Sequence, residues 1–387
     1  VAALVGWALV ARLPNGFSWL ALLTLVHDRT GSYFQAGIAV SVASVGAGVA
    51  APVMGRLVDR FGQTRVLVLS GLGEGLAFFG LAIVGTTAGP AWLLLVLAAL
   101  SGLWTAPVAA SLRALWSGTL PEGVSSDAAF SFESTAQELV FIVGPMLAAG
   151  VLALSGPSAL LAVGAVLCAV GTLAFAAQRP SREWRPDAGG GRGRSALASP
   201  GVRALTALAG VTVAGFVVGE VGIVAFARDA GAPESAGVLL AILAVSSLTG
   251  GLWHGARHWT MSVDTRLLLF AVLLPLGFVP LVFAPSVTAA GFLIALGGFA
   301  IAPLLACVYS LVGRLAPEGA VTEAFSWLNA AFVAGATVAA AAAGAVVEAG
   351  GARAGLVGLV AVTALCPLVI LARRRALLLP GEHVQKQ

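Results

Sequence analysis

The chain has 387 residues, of which 59% are hydrophobic and only 10% charged, and its mean hydropathy is +0.99. A soluble protein of this length carries about a quarter charged residues, so a water-soluble enzyme of one or two domains is excluded. The net charge of +4 does not point to nucleic acid either, because the arginines are scattered one to three at a time between apolar runs, as topology signals are.

A helix that crosses a bilayer needs about 20 mainly apolar residues. Cutting the apolar runs at polar, Gly or Pro punctuation predicts twelve such helices. They are α1 over 2–26, α2 over 34–54, α3 over 66–86, α4 over 90–114, α5 over 128–154 and α6 over 159–178. After a polar stretch come α7 over 204–227, α8 over 236–254, α9 over 267–284, α10 over 286–312, α11 over 324–347 and α12 over 354–372. The expected protein is an all-α integral membrane protein. Its parts would be a six-helix bundle at 1–178, a cytoplasmic linker at 179–202, a second six-helix bundle at 203–375 and a cytoplasmic tail at 376–387. The Gly, Ser and Arg composition of the linker suits a flexible connection. Cys168, Cys307 and Cys366 all sit inside apolar runs and form neither a disulfide framework nor a metal spacing. No basic segment or cleavage site precedes α1, which is therefore expected to be retained, with a short natural N-terminus ahead of Val1.

Orientation follows from the basic residues, which concentrate on the cytoplasmic side. With the N-terminus inside, the cytoplasmic set is Arg56, Arg60, Arg65, Arg113, Arg179, Arg182, Arg185, Arg192, Arg194, Arg203, Arg257, Arg266, Arg314, Arg373, Arg374, Arg375 and Lys386. Only Arg29, Arg228 and Arg353 face out, and Arg12 lies within α1. Both termini are expected in the cytoplasm. That Lys386 is the one lysine, amid abundant Ala, Gly and Val, is the bias of a high-GC bacterial genome, so the expected home is a bacterial inner membrane.

The two halves repeat one unit. At an offset of 196, Gly102, Ala106, Pro107, Pro121, Glu122 and Gly123 recur as Gly298, Ala302, Pro303, Pro317, Glu318 and Gly319. Ala129-Phe130-Ser131 recurs as Ala324-Phe325-Ser326, and Gly31, Ala36, Gly37 and Gly55 recur at an offset of 200. Two six-helix halves in one orientation form the parallel-repeat plan of transporters that rock one bundle against the other around a site near the midplane.

Between α2 and α3 runs Gly55-Arg56-Leu57-Val58-Asp59-Arg60-Phe61-Gly62-Gln63-Thr64-Arg65. Gly55 lets helices approach, Gly62 permits a tight turn, and Asp59 suits an arginine or a helix N-terminus. Such a cluster is a latch that can hold one conformation and release in another. Here the chain resembles the major facilitator superfamily, whose motif in this loop is G-x-L-a-D-r-x-G-r-k. Gly55, Leu57, Asp59, Arg60 and Gly62 match, while Gln63 and Thr64 replace the usual basic pair and Arg65 supplies a displaced charge. The expected latch is Gly55, Asp59, Arg60, Gly62 and Arg65, with Arg113 at the end of α4. The second-half counterpart, 250–259, keeps glycines and a basic residue but lacks the acid. In α5, Gly144-Pro145-Met146-Leu147-Ala148-Ala149-Gly150 is similar to the G-P-x-x-G-G ending of the drug and proton antiporter motif, with alanines in place of the glycine pair. A Pro kink with small residues for helix packing would read the same way.

Ionisable groups at membrane depth are costly and mark a pathway or a proton relay by default. In α1, Arg12, Asn15 and Trp19 share a helical face, and Pro14-Asn15-Gly16 should bend or unwind the helix. The resemblance implies that α1, α4, α7 and α10 line the cavity, so this face is expected to meet substrate. Trp104 of α4 and Tyr309 of α10 are candidate cavity aromatics, with packing as the alternative. Gln137 of α5 and Asn329 of α11 complete the predicted substrate set. In α5 Ser131, Glu133, Ser134, Thr135, Gln137 and Glu138 need wet or protein-lined surroundings. Glu138 is the first candidate for proton coupling, and Glu220 of α7, alone among Val and Gly, is the second. Glu133 is a third candidate, although it is also expected to pair with an arginine such as Arg113. Glu74 in α3 is expected to be structural.

The expected function is a secondary transporter working by alternating access, a proton-coupled exporter of a small organic or drug-like molecule. The alternative is a proton-coupled importer or a uniporter of a small metabolite. A non-transporting sensor or scaffold is a remote third reading. No catalytic residues, metal or cofactor are expected, since His27, His254, His258 and His383 are scattered. The expected partners are the substrate, protons and the lipid bilayer, with no nucleic acid, and the protein is expected to act as a monomer.

Overall fold

A computed structural model describes residues 2–87, 90–118, 125–185 and 195–377. The repeated Pro121-Glu122-Gly123, the linker arginines Arg192 and Arg194, and Lys386 in the tail lie outside the described residues.

The described residues form helices and turns. Ten ranges are long and apolar enough to cross a bilayer: Ala2–Thr30, Phe34–Phe61, Gln63–Thr86, Ala91–Gly118, Asp127–Ala176, Pro200–Asp229, Ser235–Ala256, Val263–Phe283, Val287–Leu315 and Val321–Ala372. Two of them, at 50 and 52 residues, are twice as long as the rest need to be. A straight helix of that length would span about 75 Å at 1.5 Å per residue, against a hydrocarbon core of about 30 Å. Each turns back instead at a glycine in the left-handed region, Gly156 (φ 78°) and Gly351 (φ 68°). A side chain at either position would strain the backbone. The two ranges therefore hold α5 with α6 and α11 with α12, and twelve crossings result. The turns stand at matching places in the repeat.

Other irregularities recur as well. α1 breaks into a 3-10 turn at Leu13–Gly16, as Pro14-Asn15-Gly16 predicted. α4 stops at Leu103 and resumes at Val108, and α10 stops at Gly298 and resumes at Ile301. Thus the helices carrying the repeated Ala-Pro both interrupt just before or at it. Polar backbone freed by a break must be satisfied inside the protein. Buried Glu74 of α3 does so at α4, accepting the Ala106 N–H at 3.0 Å. This is a pairing of the structural kind expected for it.

Packing divides the described chain into two compact units. The first comprises Val1–Pro121, Leu139–Ser195 and Glu318–Ala330. Its core gathers Phe17, Leu22 and Leu25 of α1, Phe78 and Leu81 of α3, Leu94 of α4 and Leu160 of α6. The second comprises Glu122–Glu138, Ala196–Pro317 and Ala331–Gln387. Each unit thus takes one sequence half together with the opening turns of α11 or α5 from the other half.

Lipid tails are as apolar as Leu, so helices associate through close packing of small residues. The same contacts recur in both units. In the first, Gly46 of α2 lies against the Ala99 carbonyl of α4, and in the second, Ser246 of α8 donates to the Ala295 carbonyl of α10. Gly16 of α1 faces the backbone of Gly144 in α5, and Gly210 of α7 faces that of Gly335 in α11. The Gly144-Pro145 stretch thus makes a helix crossing beside the break in α1.

Candidate functional site

α2 runs to Phe61 and is closed by Gly62, whose φ of 89° allows the turn into α3. In its last turn Asp59 is 4% exposed. Its carboxylate accepts the backbone N–H groups of Thr322 at 3.1 Å and Glu323 at 2.7 Å. These are orphan donors of the first turn of α11, at the positive end of the helix dipole. One turn earlier Arg56 grips the Glu323 carboxylate with two bonds, Nε to Oε2 at 3.1 Å and Nη2 to Oε1 at 2.8 Å. Ser195, within the linker, donates to Glu323 Oε1 at 2.8 Å, and the Trp327 indole reaches it at 3.4 Å. At Gly55 a Cβ would run into the Ser326 side chain and the Thr322 carbonyl. The Gln63 amide donates to the Ser111 carbonyl at 3.0 Å, tying the loop to α4.

Of the predicted latch residues, Gly55, Asp59 and Gly62 build this junction. Arg60 and Arg65 do not: both are exposed, and the Arg60 guanidinium lies over the Phe61 ring at 5.2 Å. One residue beyond Asp59, Arg60 points about 100° further round the helix, whereas Arg56 lies three residues back on the same face. Arg113 is buried on α4. Glu323 was passed over because α11 was expected to begin at 324. It begins two residues before Glu323, and the repeated Ser326 three residues later was the signal for it.

A second junction occupies the equivalent place in the other unit. Arg266, in the first turn of α9, binds Asp127 in the first turn of α5 at 2.9 and 3.1 Å. His254, in the last turn of α8, is 1% exposed and sits 2.6 Å from Ser131 Oγ through Nδ1. Its Nε2 lies 3.3 Å from Arg266 Nη1. A guanidinium only donates, so Nε2 accepts and Nδ1 carries the proton toward Ser131. Gly255 faces Ser131 here as Gly55 faces Ser326 in the first unit. The sequence correspondence of Gly55 with Gly255 and of Ser326 with Ser131 is therefore also a contact correspondence. The absence of an acid between 250 and 259 is met by Asp127 from α5. Neither Asp127, His254 nor Arg266 stood among the sequence candidates.

Deeper in α5, Ser131, Glu133, Ser134 and Thr135 are buried, so the polar opening of this helix is protein-lined. Glu138 accepts from the Ser247 hydroxyl of α8 at 3.0 Å, and its charge interacts with that of Glu220 on α7. Two of the three coupling candidates thus lie in range of each other's charge, with Gln137 half-buried next to Glu138 in sequence and Glu220 exposed. Glu133 lies five residues earlier in α5.

The substrate candidates are more dispersed. Arg12 is 3% exposed at the end of the first segment of α1, whereas Trp19 is 52% exposed and Asn15 is exposed as well. The intervening 3-10 turn changes the residues per turn, so the three do not share one environment. Trp104, at the break in α4, lies over Gly73 of α3, where a Cβ would meet its ring. Tyr309 is fully buried, which suits the packing alternative, and Asn329 of α11 is exposed. Among the described residues no three His, Cys, Asp or Glu side chains gather into a metal site.

A family model described as Major Facilitator Superfamily matches residues 5–290. No curated protein sequence matches the chain. Among solved structures the chain is similar to a bacterial homologue of the iron transporter ferroportin in an outward-facing state, at 13% identity and a TM-score of 0.75, over 97% of this chain and 99% of that one. It is also similar to the human organic anion transporter MFSD10 (TETRAN), at 17% identity, TM-score 0.73, and 96% and 98% coverage. A third similar structure is the E. coli fucose:proton symporter FucP, at 14% identity, TM-score 0.68, and 98% coverage of both chains. At these identities the likeness concerns the fold.

Proposed function

The chain belongs to the Major Facilitator Superfamily, and from that premise we propose that it is a secondary transporter that exports a small organic molecule in exchange for protons. The observation that carries the coupling is the hydrogen bond from Ser247 to Glu138 within one unit, with Glu220 in range of its charge. A carboxylate at membrane depth is costly unless paired, hydrated or protonated. Two interacting carboxylates make loss of the second proton costlier still, so the pair suits taking up and releasing one proton per cycle. Cargo competing for the same polar opening of α5 would link its release to that proton.

Alternating access requires an element with two discrete states. The junction of Asp59, Arg56 and Glu323 and its counterpart of Asp127, Arg266 and His254 serve as that element, one per repeat. The sequence halves 1–178 and 203–375 act as the moving bundles, joined by the linker at 179–202. The basic residues favour both latches facing the cytoplasm of a bacterial inner membrane, with both termini there and the tail at 376–387. Arg12, Asn15, Trp19, Trp104, Gln137 and Asn329 are the candidate cargo contacts. Export is favoured over import by the partial likeness of the 144–150 stretch of α5 to the ending of the drug and proton antiporter motif.

The test is flux in liposomes containing the purified monomer, with a panel of organic anions, zwitterions and amphiphiles under an imposed pH gradient. Flux of at least one compound should run opposite to the proton gradient, and Glu138→Gln should remove the gradient dependence while leaving exchange of labelled for unlabelled cargo. Full pH-driven flux in both Glu138→Gln and Glu220→Gln would overturn the coupling assignment. Cargo moving with the protons would make the protein an importer.

A further inference from the structure

On the α8 side of the second unit, Val238, Ile242, Val245 and Thr249 form one helical stripe, at steps of four, three and four residues. Together with Ala295 and Phe299 of α10 they line a groove of about 500 Å³. Its polar residues are satisfied internally: the Thr249 hydroxyl donates to the Ser246 carbonyl at 2.8 Å, and Ser246 donates to the Ala295 carbonyl. The wall offered to a ligand is therefore apolar.

The stripe continues into a cationic clamp. Trp253, four residues past Thr249, lies 5.4 Å from Phe299, ring centre to ring centre. Trp259 meets Trp253 edge-on at 5.3 Å, and its indole N–H is fixed by the His254 carbonyl at 2.9 Å. Arg257, four residues beyond Trp253, holds its guanidinium 5.0 Å from the Trp259 ring and 5.6 Å from the Trp253 ring. Arg257 is exposed and has no carboxylate partner among the described residues. Two rings thus orient a full positive charge whose N–H donors are left for an outside acceptor.

We infer that α8, α10 and the α8–α9 turn bind one anionic phospholipid, its phosphate on Arg257 and one acyl chain passing Trp253 and Phe299 into the groove. Position and length agree. Arg257 directly follows the end of α8, where Trp and Arg sit at the headgroup level of a bilayer. From Arg257 to Val245 is about 18 Å along the helix at 1.5 Å per residue. One leaflet of hydrocarbon is about 15 Å thick, so a chain from that leaflet reaches the near half of the groove. A zwitterionic lipid fills the groove equally well but brings its own cation to Arg257. The clamp therefore selects on net headgroup charge.

The test is native mass spectrometry of the detergent-purified protein in an equimolar mixture of phosphatidylglycerol and phosphatidylcholine. One phosphatidylglycerol should be retained at least tenfold in preference to phosphatidylcholine. Arg257→Gln should reduce that retention at least fivefold, and Ala295→Trp, which fills the groove and leaves Arg257 intact, should do the same. Arg353→Gln, which removes an exposed arginine from a different ring, Phe283, should change nothing. Equal retention of both lipids overturns the site, as does undiminished binding in either Arg257→Gln or Ala295→Trp. A loss in Arg353→Gln as large as that in Arg257→Gln also overturns it, because binding would then follow net charge alone.

Discussion

Asp59 shows how much one carboxylate can govern when it receives a helix N-terminus. It accepts two N–H groups of α11 while largely shielded from water, and hydrogen bonds to charged groups are worth about 1.5–3 kcal/mol each. Asp59→Asn keeps one acceptor oxygen and loses the charge. It should weaken the latch by about 2 kcal/mol, shifting the two-state equilibrium roughly 30-fold toward the released form, as read by spin-label distances between α2 and α11. Arg56 is 61% exposed in its side chain, so the pair with Glu323 is worth less despite its two bonds. Arg56→Ala should shift the same equilibrium by no more than about 1 kcal/mol. A larger effect for Arg56 than for Asp59 would reverse the assigned roles. At this scale Gly55, Asp59 and Gly62 were legible because their residue types are dictated by local geometry. Glu323 and Arg56 were not, because their pairing joins residues far apart in the chain, and spacing carries no record of that.

Helices here are held by close approach, and Gly55 and Gly255 are equivalent points of it in the two junctions. A Cβ at Gly255 would meet chiefly the Ser131 side chain, 2.8 Å from its Cβ. At Gly55 it would also meet the Thr322 carbonyl at 2.8 Å, which is backbone. Gly255→Ala should therefore lower thermal stability and be largely rescued by Ser131→Gly, whereas Gly55→Ala should not be rescued by Ser326→Gly. Melting of the four single and two double variants checks this, and equal rescue at both sites would contradict it. Twelve apolar runs were legible from hydropathy, and so was the break at Pro14-Asn15-Gly16. That α5 joins α6 without a gap, and α11 joins α12 likewise, was not. Ser155-Gly156-Pro157-Ser158 and Gly350-Gly351 read equally well as a longer loop, and only φ at Gly156 and Gly351 distinguishes a tight turn from one. The face shared by Arg12, Asn15 and Trp19 was drawn for a continuous α-helix, and the 3-10 turn between them removes the regular spacing on which it rested.

For the whole molecule, the repeat is the organising fact, and it survives in contacts as well as in letters. It also explains why the sites differ between halves: the backbone crossings are shared, while the charges are not. The first junction places its acid on α2 and uses the N-terminus of α11; the second places an acid on α5 and uses Arg266 with His254. With the proposed orientation, a fluorescent protein fused after 377 should fluoresce in intact cells, and an alkaline phosphatase fused there should be inactive. The opposite pattern would invert the account of both latches.

The central claim is that the junction under Gly55 opens and closes during transport. Ser326 is 1% exposed and lies against Gly55. In a chain with Cys168, Cys307 and Cys366 replaced by serine, Ser326→Cys should react slowly with a water-soluble maleimide. The rate should rise at least tenfold when Asp59→Asn is added, and also when transported cargo is supplied. Equal labelling rates with and without Asp59→Asn, and with and without cargo, would contradict a latch at this position.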